Sequence, residues 1–398
     1  MKSPKKQQHF NILLFIIQLS VGPCFSLFAS SNISCSDNIS VQTKKNELLS
    51  NDIFKSNLPA LTGNIKVLGR QLIVDGNPFI MKGICYNPVR KGGTHPTGLI
   101  TLNPTKEDID LIEKDFQMMH DAGINTIRTY EPLLDQRILD LLVKYQLRTI
   151  VPALNYYEAS FEKVTSTILT LKDHPSTLIW EVGNEWNLNC FYSRNRDPAN
   201  PEGLGYNRSS ALVKNAISYI KILDTTHPVS TVIGGLPTDI AFWNTIDFKG
   251  IDIYGLNIYH GLTLSHRLHQ WSSLSNKPLY IGEFGADAFN TTINSEDDES
   301  QKIATYSLLK KIHHNLSAVD PSSILIGGCS YEWCDEWWKE PQGSPYEHDN
   351  YGITDPFGHG GPYPDYVFNE EWWGIVDIDR NPRPAYQVLK ELYTISNH

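Results

Sequence analysis

Trp180-Glu181-Val182-Gly183-Asn184-Glu185-Trp186-Asn187 follows directly on an apolar, β-branched run that begins at Thr177. A run of this kind reads as a buried strand, and Gly183-Asn184-Glu185 is where it breaks the surface and presents an amide and an acid side by side. A second short run, Leu279-Tyr280-Ile281-Gly282, delivers Glu283 in the same way, followed by Phe284-Gly285-Ala286-Asp287. Two strand-end glutamates far apart in sequence need a fold that brings strand ends together.

The spacing of the apolar runs supplies one. Strands are expected at Phe79 to Tyr86, Thr126 to Tyr130, Thr149 to Leu154, Leu178 to Val182, Val229 to Ile233, Ile253 to Ile258, Leu279 to Glu283 and Ile324 to Ser330. Amphipathic segments lie between them. Ile109, Ile112, Phe116 and Met119 form one stripe behind a Pro104-Thr105 helix start, and Ile138, Leu141, Leu142 and Tyr145 form the next. Strands alternating with helices predict a parallel sheet of right-handed units. Eight of them, with a last helix near Ala385 to Tyr393, predict a single α/β domain, a (β/α)₈ TIM barrel over residues 64–398. Residues 79–393 exceed the roughly 250 typical of that fold, so long loops are required after strand four (188–206) and strand eight (334–372), at the C-terminal mouth where such barrels keep their active sites. Ahead of the barrel, the runs around Gly69 and Asp75-Gly76 predict a short N-terminal β-hairpin entering a larger sheet.

The rest of the chain bounds the function. It has 398 residues, 40% of them hydrophobic and 11% aromatic, and a formal net charge of −10. That composition supports a large packed core and gives no basic footprint for nucleic acid. Residues 1–31 read as a signal peptide, with Lys2, Lys5 and Lys6 ahead of an apolar segment from Phe10 to Val21 that is short for a membrane span. The expected location is therefore secreted or otherwise extracytoplasmic, with membrane attachment only if that segment is retained. Residues 32–63 are polar and read as a linker or arm. Cys35, Cys85, Cys190, Cys329 and Cys334 show no zinc spacing; buried free thiols and a Cys329 pairing with Cys334 or Cys85 both remain open. No metal or cofactor is expected.

Paired carboxylates across a barrel mouth fit glycosidic cleavage. One protonates the departing oxygen while the other stabilises or attacks the oxocarbenium-like carbon, and a separation of about 5 to 5.5 Å implies retention through a covalent intermediate. In this setting Asn184-Glu185 and Glu283 resemble the acid/base and nucleophile of the clan A retaining glycoside hydrolases. The barrel is most similar to the catalytic domain of family 2, on Asp75-Gly76-Asn77-Pro78-Phe79-Ile80-Met81-Lys82-Gly83, Gly282-Glu283-Phe284-Gly285-Ala286-Asp287, and Trp373-Gly374-Ile375-Val376-Asp377 with Arg380-Asn381-Pro382-Arg383-Pro384-Ala385-Tyr386. Family 2 enzymes usually carry β-sandwich domains ahead of the barrel, for which this chain leaves no room. The resemblance implies that Glu185 is acid/base and Glu283 nucleophile, and that Arg128 holds the nucleophile ionised. It further implies that Asn184 binds the hydroxyl beside the reacting carbon, that Tyr259 bonds the nucleophile, and that Trp333 forms the aromatic floor under the reacting sugar. Asn87 and Asn155, at the ends of strands one and three, are further candidates for sugar hydroxyls. The aromatic stretch from Trp337-Trp338 through Tyr346, His348, Tyr351, Phe357, His359, Tyr363, Tyr366, Trp372 and Trp373 reads either as a subsite wall or as a loop with its own small core.

The expected activity is that of a secreted retaining β-glycosidase acting on β-linked hexosides or oligosaccharides, with carbohydrate as the partner. A transglycosylase would use the same two glutamates. A silent carbohydrate-binding barrel would not require Glu185 and Glu283 to be kept together with Arg128, Asn184 and Tyr259.

Overall fold

The computed structural model describes residues 61, 63–155, 160–192, 203–235, 244–264, 268–339, 343–354 and 360–395. Its centre is a closed parallel barrel of β1 (Met81–Cys85), β2 (Thr126–Arg128), β3 (Arg148–Leu154), β4 (Thr177–Val182), β5 (Val229–Gly234), β6 (Ile253–Asn257), β7 (Leu279–Phe284) and β8 (Leu325–Ser330). Every strand is buried along its length, which is why each reads as a continuous apolar run rather than an alternating one. The expected signal peptide and most of the linker lie outside the described residues.

Helices cover the barrel where the sequence spacing predicts them. In α1 (Lys106–Asp121) Thr105 caps the N-terminus in a reciprocal capping box with Asp108, and Ile112, Phe116 and Met119 are buried. Asp135 caps α2 (Gln136–Lys144), which buries Ile138, Leu141 and Leu142. Then come α3 (Phe161–Leu171), α4 (Gly203–Leu223), α5 (Asp298–His313) and α6 (Pro384–Ile395).

The N-terminal hairpin departs from expectation. Ile65–Leu68, Gln71–Val74 and Asn77–Pro78 form a separate three-stranded antiparallel sheet and do not join the barrel sheet. The barrel is already closed on itself and has no edge to extend, so the hairpin packs instead. Its Ile65, Leu72 and Val74 share a core with Met81, Ile150, Leu178, Ile179, Ile253 and Ile326 from the barrel strands. The four described cysteines, Cys85, Cys190, Cys329 and Cys334, are free and buried.

Closure of the seam between β8 and β1 depends on glycine. A Cβ on Gly327, whose φ is +130°, would lie 2.0 Å from the Met81 carbonyl oxygen. Backbone atoms cannot yield as a flexible side chain can. Gly327→Ala is therefore expected to cost about 3 kcal/mol in urea unfolding, from overpacking and an unfavourable backbone conformation together. An unchanged midpoint would contradict this account of the seam.

Candidate active site

The barrel's mouth is built around a buried charge. Arg128, at the end of β2, is fully buried, and all five of its N–H groups find acceptors. Nε and Nη2 grip the two oxygens of Glu181 at 2.9 and 2.8 Å, in the bidentate geometry that suits a guanidinium. Nη2 also donates to Asn184 Oδ1 at 2.8 Å, and Nη1 donates to Glu283 Oε1 at 2.8 Å and to the Tyr130 hydroxyl at 3.1 Å. Glu181 takes a further hydrogen bond from Tyr280 Oη at 2.7 Å.

Glu283 therefore has a fixed pose. Besides Arg128, the Tyr130 hydroxyl donates to Oε1 at 2.6 Å and the Tyr259 hydroxyl donates to Oε2 at 3.0 Å. Burial and then neighbouring groups, the Glu283 charge among them, push both tyrosine hydroxyls well above their usual range, so they stay protonated as donors.

Glu185 stands in a different environment. Its backbone is left-handed, with φ of 48°, as is that of Gly183, with φ of 76°. Such a conformation costs a non-glycine residue roughly 1–2 kcal/mol. A Cβ at Gly183 would meet Phe191 Cζ at 2.8 Å and Trp186 Cδ1 at 2.9 Å, so glycine is required there by space as well as by φ. The double reversal turns the chain from β4 into the short helix Trp186–Asn189 with Glu185 at its start. Burial, followed by the negative charge of Glu283, raises the Glu185 carboxyl to about 7; a hydrogen bond from Asn257 and the charge of Arg128 oppose the rise. One acid is thus held protonated near neutral pH beside another that is gripped by three donors.

Both face a cavity of about 300 Å³ whose lining also includes Asn87, Asn155, Asn184 and Tyr259. Asn184 Oδ1 accepts from both Arg128 and Asn257, at 2.8 and 3.0 Å, which turns its NH₂ away from them. Asn155 Oδ1 accepts the Asn184 backbone N–H at 3.1 Å, and Asn87 Nδ2 donates to Glu336 Oε1 at 2.6 Å.

Trp333 does not reach this cavity. Its backbone is tied between the Cys85 carbonyl and the Val376 N–H, and its fully buried ring lies 6.3 Å from Tyr386 in the outer core. Tyr331, Trp338, Phe368 and Trp373 supply the aromatic wall instead. The aromatic insertion divides its rings between a packed cluster and the cavity lining. His348 stacks between Trp337 and Trp372, at 5.1 and 3.5 Å, as a small core of its own, while Trp338 and Trp373 turn to the cavity. Phe357 and His359 lie outside the described residues.

The residues that the sequence reasoning missed are Glu181, Tyr130 and Asn257 around the buried charge, and Glu336, Lys339 and Glu370 on the far wall. Glu181 did carry a signal, since it is the single acid inside an otherwise apolar strand. Among the described residues no group of acidic, His or Cys side chains is arranged to hold a metal ion.

Glu181→Gln keeps the shape but leaves Arg128 short of a charge partner. It is expected to lower stability by about 3 kcal/mol in urea unfolding. A loss below about 0.5 kcal/mol would show that Glu181 is dispensable to the arginine.

The comparisons with known proteins agree with this geometry. Residues 145–312 match the family described as glycosyl hydrolases family 2, TIM barrel domain. The β-glucuronidase of Rattus norvegicus is 23% identical over 251 residues, covering 58% of this chain and 35% of the rat protein. A 1,3-beta-glucanosyltransferase of Candida albicans is 26% identical over 293 residues, covering 66% of this chain and 57% of the fungal protein. The chain thus spans only part of the length of these relatives. Among solved structures, a GH2 beta-galacturonidase from Eisenbergiella tayi bound to galacturonate superposes with a TM-score of 0.56 at 20% identity, over 84% of this chain and 55% of that one. That likeness is one of fold. Residues 145–312, which carry both strand-end glutamates within the eight-stranded barrel, are thus similar to the glycosyl hydrolase family 2 TIM-barrel domain.

Proposed function

We propose that the protein is a secreted retaining β-glycosidase in which Glu283 is the nucleophile and Glu185 the acid/base. The observation that carries this reading is the contrast between the two acids, one raised to about 7 and the other fixed by Arg128, Tyr130 and Tyr259. The Glu283 carboxylate attacks the anomeric carbon while Glu185 passes its proton to the departing glycosidic oxygen, giving a glycosyl ester and a free alcohol. Formation of the ester removes the Glu283 charge, and Glu185, now ionised, takes a proton from water as the water attacks the same carbon. Glu283 leaves and the original configuration returns. Asn184 directs its amide NH₂ to the hydroxyl beside the reacting carbon, and Trp338, Phe368 and Trp373 offer apolar faces to a sugar ring.

The relatives' names divide between glucuronides, galactosides and 1,3-β-glucans, so the common element brought to this chain is a β-linked sugar. Likeness to 1,3-beta-glucanosyltransferases favours one second reading, in which another sugar hydroxyl replaces water at the ester. The chemistry of both glutamates is then unchanged. Residues 1–31 carry the proposal of export. Among the described residues no helix is long and apolar enough to cross a membrane.

On a panel of aryl β-glycosides and β-linked oligosaccharides, Glu283→Gln is expected to lower kcat/KM by about 10³-fold or more. Glu185→Gln should lower it by about 10²- to 10⁴-fold, with the smaller loss on leaving groups that need no proton. Unchanged turnover in both variants would sink the assignment. The acid must be protonated when substrate arrives, so kcat/KM should fall as pH rises through about 7. Constant kcat/KM up to pH 9 would exclude Glu185 as the proton donor.

A further inference from the structure

The glycosidase reading leaves open which class of sugar occupies the cavity, and the far wall bears on that choice. Lys339 is the only lysine or arginine among the described residues that line it. It is not available as a counter-ion. Its ammonium lies 3.0 Å from Glu336 Oε2 and 3.1 Å from Glu370 Oε2, and it also donates to the Tyr331 hydroxyl. Glu336 accepts a second hydrogen bond from Asn87 on its other oxygen.

The second strong cation near the mouth, Arg128, is equally committed. Its donors go to Glu181, Glu283, Asn184 and Tyr130 behind the cavity wall. His95 contributes no steady positive charge, because burial lowers its tendency to protonate. Counted by cluster, Arg128 with Glu181 and Glu283 sums to −1, and Lys339 with Glu336 and Glu370 sums to −1. Glu332, buried behind them, is pushed well above the usual carboxylate range by burial and then by Glu336.

Resting on the glycosidase reading, we infer that the cavity selects an uncharged glycosyl group and rejects uronic acids, with Glu336 and Glu370 as the specificity-determining residues. A uronate brings a carboxylate where a neutral hexose has CH₂OH. The described lining residues bring both negative clusters to the cavity and offer that carboxylate no uncommitted cation. Partial desolvation strengthens the repulsion relative to water. A neutral hexose meets the same carboxylates as hydrogen-bond acceptors for its hydroxyls, which is favourable.

The test compares matched pairs of p-nitrophenyl β-D-glycosides that differ only at C6: glucoside with glucuronide, galactoside with galacturonide, mannoside with mannuronide. In any pair that is turned over, the neutral member should have a kcat/KM at least about 100-fold higher. Glu370→Gln, alone and combined with Glu336→Gln, should shrink that ratio by about tenfold by releasing Lys339, a change in ratio that a merely structural lesion would not produce. A uronide within tenfold of its neutral partner in the wild type would overturn the inference while leaving the glycosidase reading intact. Failure of every pair would count against the glycosidase reading. Calorimetric titration with the corresponding methyl glycosides would then decide the inference: binding of the neutral member alone upholds it, and binding of the uronide at comparable strength, or of neither, overturns it.

Discussion

Everything at the mouth of this barrel depends on how the charge of Arg128 is neutralised. A guanidinium with no exposure to water loses hydration worth several kcal/mol even after relaxation, and only well-formed charged hydrogen bonds compensate. Here the compensation comes from two carboxylates on opposite sides. Glu181, from within β4, takes the bidentate grip, while Glu283, from β7, takes a single Nη1 bond and shares its other contacts with two tyrosines. The arginine therefore ties β2, β4 and β7 together at one height in the barrel. It also leaves Glu283 oriented, with part of its carboxylate facing the cavity.

That arrangement explains how two glutamates of identical chemistry come to differ. Glu283 sits among donors, whereas Glu185 sits at a strained turn where burial and the neighbouring negative charge disfavour its ionised form. The strain accompanies the exit from β4, where two left-handed residues, Gly183 and Glu185, bring Phe191 and Trp186 close against Gly183. An acid delivered by such a turn is held by backbone as well as by side-chain contacts. The same logic of committed charge extends across the cavity to Lys339, whose two carboxylates leave the far wall acidic.

Much of the barrel was legible in the sequence because its strands are buried on both faces and read as unbroken apolar runs between stripes of helix period. Boundaries moved by a residue or more, as at Met81–Cys85, where Phe79, Ile80 and Tyr86 are apolar but not part of the strand. The N-terminal sheet was misplaced because apolar alternation reports burial and not the partner that provides it. At the site, Asn184, Glu185 and Glu283 were legible because strand ends carry them, and Arg128 because its place at the end of the second strand resembles that of the clan's arginine. Trp333 was not, since an aromatic side chain after β8 can turn to the cavity or to the core, and only the hydrogen bonds of its backbone to Cys85 and Val376 fix the choice. Glu336 and Glu370 belong to a long loop without periodicity, so no pattern could place them opposite Glu283.

The most direct test of the central claim is to trap the ester. The protein would be treated with an activated 2-deoxy-2-fluoro β-glycoside of a configuration it accepts, digested, and analysed by tandem mass spectrometry. The double-displacement account predicts a single glycosyl adduct on the carboxylate of Glu283, absent from Glu283→Gln. An adduct on another residue, or the same adduct forming in that variant, would contradict it.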